Sequence, residues 1–97
     1  MKIKTKSGFV CDVNPDLAKD WRFCKGLAKL DSGDESQVIQ GITFLVPFLL
    51  GDDGEAALME HVKDEKGIIS TPIIIEEFKD IFFKIGDESK KSASSQA

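Results

Sequence analysis

Residues 70–86 read STPIIIEEFKDIFFKIG, and this stretch decides the fold class. Ser70-Thr71-Pro72 is a helix cap followed by proline in the first turn, where the missing N–H has no intrahelical partner to lose. Ile74, Ile75, Phe78, Ile81, Phe82 and Ile85 then recur at spacings of three and four, the period of a helix with one buried face. A helix is expected over 72–85. Ile73 and Phe83 fall partly outside its stripe, so it carries more apolar surface than one face can bury. Glu76 and Glu77 lie early enough to suit the positive end of the helix dipole.

Working back along the chain, Asp34 or Ser36 can cap a second helix bearing Val38, Ile39, Ile42, Leu45, Val46, Leu49 and Leu50. Its second half, ITFLVPFLL, is apolar around most of the circumference, so it is either central to the core or docked on a partner. Pro47 removes the N–H that would bond Thr43, and a kink is expected there. Asp52 or Asp53 before Gly54-Glu55 opens a third helix, with Ala57, Leu58, His61 and Val62 inward, that Lys66-Gly67 ends.

Nearer the start, Asn14-Pro15 reads as a cap plus proline, and a helix is expected from there to Leu30. Leu17, Trp21, Cys24 and Ala28 form its inward spacing, while Lys19, Arg22, Lys25 and Lys29 take the other side. Trp21 has two readings, a core residue or an exposed binding anchor, and the inward spacing favours the core. Residues 2–13, KIKTKSGFVCDV, alternate about Ser7-Gly8 and read as a short β-hairpin, with Phe9, Cys11 and Val13 facing the helices. Lys2, Lys4 and Lys6 suit an exposed strand edge. The expectation is a mainly α fold of about four helices with an N-terminal hairpin packed on them. One domain spans 1–86, and a disordered polar tail, 87–97, follows.

The totals narrow the function. With 97 residues, 41% hydrophobic and 31% charged, the chain has material for one core. A formal charge of -4 repels a phosphate backbone, so no nucleic-acid partner is expected. MKIKTKSG lacks the apolar run of a signal peptide, and Ile42–Leu50 is far shorter than the roughly 18–20 residues of a membrane span, so no membrane association is expected. Two cysteines thirteen positions apart and one histidine do not make a four-ligand zinc site; both cysteines read as reduced and buried. Asp52-Asp53 and Glu76-Glu77 read as helix-start acids, not metal ligands. There is no tyrosine and no phosphate-binding glycine loop, and His61 has no acid or nucleophile at a motif spacing. No catalytic residue, metal or cofactor is expected. The surplus apolar side chains are the candidate protein-binding residues: Phe44, Phe48 and Leu49 in the second helix, and Ile74, Phe78, Ile81, Phe82 and Phe83 in the last.

Taken in order, these blocks form a pattern: a hairpin turning at SGF, DLAKDWRFCKGLAKLD, an apolar helix ending LLGDDGE, LMEHVKDEKG, and STPIIIEEFKDIFFKIG before a polar tail. Over about residues 5–86 the pattern resembles the small tail assembly chaperones of long-tailed, siphovirus-type phages and prophages of Gram-positive bacteria. The resemblance rests on element order. It implies a helical, non-catalytic protein of the bacterial cytoplasm that binds the tape measure protein, keeps its apolar helices soluble, helps recruit tail tube protein and is not kept in the mature virion. Self-association fits the same surplus of apolar surface. The competing expectation is a helical regulatory or adaptor module of the host, antitoxin-like or transcription-associated, which the lack of a basic recognition helix disfavours.

Overall fold

The computed structural model describes the backbone of residues 1–96 and the side chains of residues 1–87; most of the tail expected over 87–97 therefore has no described side chains. The order is β1 (Lys2–Lys4), β2 (Val10–Asp12), a 3₁₀ turn (Pro15–Lys19), α1 (Trp21–Leu30), α2 (Glu35–Val62) and α3 (Thr71–Gln96). The chain is mainly helical with an N-terminal antiparallel hairpin, and it has three α-helices where about four were expected.

The hairpin pairs Lys2 with Asp12, Ile3 with Cys11 and Lys4 with Val10. Ile3, Thr5, Phe9 and Val13 are buried, whereas Val10 is exposed, so the odd-numbered side lies on the helices as the alternation predicts. Strands this short are marginal alone. The support comes from α2 and α3, which pack on β2 and β1 respectively.

The helix expected over 15–30 is broken at Asp20. Asn14 does cap a turn, accepting from Asp16 N, but that turn is 3₁₀ and ends at an extended Asp20 (φ -69°, ψ 139°). The Asp20 carboxylate then caps α1 by accepting from Arg22 N at 2.8 Å. The break re-phases α1: Phe23 and Gly26 are its buried residues, while Cys24 is exposed and Trp21 stands 74% exposed. The core reading of Trp21 is thus overturned, because the inward stripe was counted through a residue that is not helical. Neither cysteine is fully buried as expected, Cys11 being half-buried.

The second and third expected helices are the two arms of α2, which meet at a break in the backbone at Gly51. Its one non-helical residue is Gly51 (φ 76°, ψ 170°), at the expected boundary between those two helices, whereas Pro47 keeps helical dihedrals where a kink was expected. Only glycine readily adopts Gly51's backbone conformation. Pro47 is absorbed without a change of dihedral class, one turn after Thr43, whose hydroxyl donates to the carbonyls of Ile39 and Gln40. α2 ends at Val62, earlier than Lys66, and Asp64 organises the turn that follows by accepting from Lys66 N (2.8 Å) and Ile68 N (2.9 Å).

α1 crosses α2 closely where two glycines meet. A Cβ on Gly41 would lie 2.8 Å from the Gly26 carbonyl oxygen, so no larger residue fits at this crossing without a shift. Phe23 from α1, Ile42, Leu45, Val46 and Leu49 from the first arm of α2, Leu58 from its second arm, and Phe78, Ile81 and Ile85 from α3 fill the core beneath the hairpin. α3 runs on to Gln96, beyond the last residue of its apolar stripe, Ile85.

Candidate functional site

The sequence-derived binding residues divide by burial. Leu49, Phe78 and Ile81 are in the core and offer nothing to a partner while the chain is folded. Ile74 and Phe48 are half-buried. Phe44 (41% exposed), Phe82 (36%) and Phe83 (70%) stand at the surface. Both apolar runs therefore close the core with one side and leave aromatic rings on another.

The rings are connected. Phe44 stacks on Phe48 at 5.2 Å between centroids, Phe48 lies 6.3 Å from the fully buried Phe23, and Phe23 lies 5.6 Å from Phe82 and 6.1 Å from Phe78. A ladder of phenylalanines thus passes through the core and surfaces at Phe44 on α2 and Phe82 on α3. Tilted and offset rings at these separations attract beyond their area burial. The Arg22 guanidinium covers Phe48, 5.0 Å from its centroid.

Beside Phe44, a groove of about 230 Å³ follows the α1–α2 crossing. Arg22, Lys25 and Lys29 line it from α1; Gln40 and Phe44 line it from α2; Gly26 and Gly41 leave it open between them. Arg22 is engaged by Asp20, with Nη2 to Oδ2 at 2.8 Å, and this pairing lowers the Asp20 carboxyl to about 2. Lys29 reaches only the Gln40 amide oxygen at 3.4 Å, and no ion pair is found for Lys25 or Lys29 among the described residues. Ile39, Met59, Ile68, Ile69 and Ile73 are also exposed, and Met59 and Ile69 line a second groove between α2 and the start of α3 with Thr71 and Ile74.

Sequence reasoning missed a polar seam between the hairpin and the helices. The buried Glu77 accepts at Oε1 from Thr5 Oγ1 (2.8 Å) and from Ser7 Oγ (2.9 Å). Thr5 Oγ1 also accepts from Phe9 N, and Ser7 Oγ lies 2.9 Å from His61 Nε2. Ser7 Oγ is also 3.1 Å from Thr5 Oγ1, so one serine hydroxyl links the threonine, the glutamate and the imidazole. Next to this network, Asp80 accepts from Lys6 N at 2.7 Å and pairs with Lys84 at 3.3 Å, while Lys84 Nζ also donates to the Lys4 carbonyl. Burial pushes the Asp80 carboxyl up, but the Lys6 N–H and the Lys84 ammonium outweigh it and hold the group below its ordinary range. The residues of the seam lie 54 to 80 positions apart, and its one trace in the sequence is that Glu77 falls within the apolar stripe of α3.

The Cys11 thiol is raised by burial and by its acidic neighbours Asp12 and Glu77, so it carries little thiolate at neutral pH. No cluster of three metal-ligating side chains occurs, and no helix is long and apolar enough to cross a membrane, among the described residues. Comparison with known families, curated proteins and solved structures finds no match to this chain.

Proposed function

We propose that this chain is a non-catalytic binding protein that covers apolar helical segments of another protein, in the manner of the phage tail assembly chaperones it resembles. Its partner in that reading is the tape measure protein, to which it helps recruit tail tube subunits in the bacterial cytoplasm before leaving the assembled particle. The observation that carries the reading is the aromatic surface outside the core, Phe44, Phe82 and Phe83, on helices that already bury an apolar face in the core. Rigid aromatic side chains supply contact area at low entropic cost and concentrate the energy of interfaces. Long helical partners with apolar stripes need such a surface to stay soluble.

The test is co-expression with the tape measure protein encoded in the same genome. Wild-type chain is expected to keep it soluble and to co-purify with it. The double variant Phe44→Asp/Phe83→Asp, checked by circular dichroism to be folded, is expected to lose it. A tape measure protein that is indifferent to the wild-type chain, or that co-purifies equally with the variant, overturns the reading.

A further inference from the structure

We propose that the groove along the α1–α2 crossing selects an acidic partner: an amphipathic helix whose apolar stripe lies on Phe44 and whose flanking carboxylates meet Lys25 and Lys29. The inference rests on the binding reading above and specifies the chemistry of what is bound.

Charge is the first argument. The chain carries -4 overall, yet the groove is lined by Arg22, Lys25 and Lys29 and by no carboxylate. Asp20 neutralises Arg22, which leaves the two lysines as the cations available to a ligand. Spacing is the second. Positions 22, 25 and 29 form one stripe of α1 about 10 Å long, matching acids at successive turns of a second helix laid alongside. Shape is the third. Gly26 and Gly41 contribute no side chain, so the bottom of the groove is backbone, and Phe44 gives one wall an apolar face. About 230 Å³ accommodates one or two inserted side chains and is smaller than the roughly 300–1,000 Å³ of sites that enclose whole small molecules. A nucleic-acid strand presents the same sign of charge, but the chain's net charge would oppose so long a polyanion.

The test uses two labelled synthetic peptides with the same leucine stripe, one flanked by glutamates and the other by lysines, titrated with the full chain and followed by fluorescence anisotropy. The glutamate peptide is expected to bind about tenfold more tightly. The gap should close as salt screens the exposed charges. Both lysines are exposed, so Lys25→Glu/Lys29→Glu should leave the helical signal unchanged and reverse the order of the two peptides. Equal binding of the two peptides, or an order that survives the double substitution, overturns the proposal. So does single-stranded DNA that displaces the glutamate peptide at lower concentration than unlabelled peptide does, because the groove would then read phosphate. Failure here with tape measure co-purification intact leaves the binding reading standing. A preserved peptide preference without tape measure binding removes that partner and keeps the groove.

Discussion

Along the flank of α3 that meets the hairpin, polar groups are taken out of water: Glu77 is buried, and Asp80 and Lys84 bond to the backbone of Lys6 and Lys4. Elsewhere on the same helix the assignment is reversed, and Phe83 stands 70% exposed with Phe82 half out beside it. The difference teaches that burial on this helix follows the supply of partners and not side-chain hydropathy alone. The hairpin's turn brings two hydroxyls and a free N–H to Glu77 and Asp80, so these acids lose water without losing hydrogen bonds. Lys6 and Ser7 of the turn border a groove with Phe83 but leave its ring exposed.

The largest effect that sharpens this contrast is within α3. Phe78→Ala empties a site in contact with Phe23 and Phe82 and is expected to cost about 3–5 kcal/mol in urea unfolding. Phe83→Ala should change stability by no more than about 0.5 kcal/mol, as for other exposed positions. Equal losses would mean that the exposed ring belongs to the core after all.

Breaking the polar flank should come next in size. Glu77→Ala leaves the buried Thr5 hydroxyl without its acceptor, at an expected cost of about 1–3 kcal/mol. Faster hydrogen exchange at Ile3, Thr5 and Phe9 than in the body of α2 would show that the loss is local to the hairpin. An unchanged midpoint would remove the seam as a stabilising element.

A smaller effect follows from Asp80. Its carboxyl is held below the ordinary value of 3.8 in the folded chain, so the unfolded chain takes up the proton first as pH falls. The contribution is complete above that value and is lost as pH drops through the lowered folded one. Unfolding midpoints measured below about pH 4 should therefore fall with pH less steeply in Asp80→Asn than in the wild type. Parallel slopes would mean that Lys6 and Lys84 do not stabilise the ionised form.

Much of the fold was legible because local chemistry imposed it. The Ser7-Gly8 turn, the alternation through Val13, the cap at Asp34 or Ser36, which falls to Asp34, and the Thr71-Pro72 start all produced the elements they predict. Two local readings failed for identifiable reasons. Asp20 offered a better cap than a continuous helix could use, which turned Trp21 outward, and Pro47 kept helical dihedrals where a kink was expected. Of the candidate contact residues, periodicity correctly set Phe83 apart from its stripe but did not separate exposed Phe44 from buried Leu49. Those two lie in a run that is apolar all round, and only the direction of the neighbouring helix distinguishes its sides.

By itself, then, the sequence determined the class of the fold, the hairpin, the starts of its second and last helices and the excess of apolar side chains, all of which depend on residues within a few positions of one another. Tertiary structure alone decided which rings are left outside, that three cations of α1 border an open groove, and that Thr5, Ser7, His61 and Glu77 share one network. These depend on how far α1 rotates at Asp20 and where α2 turns at Gly51. A rotation set by one capping carboxylate moves every side chain downstream, and no local period records it.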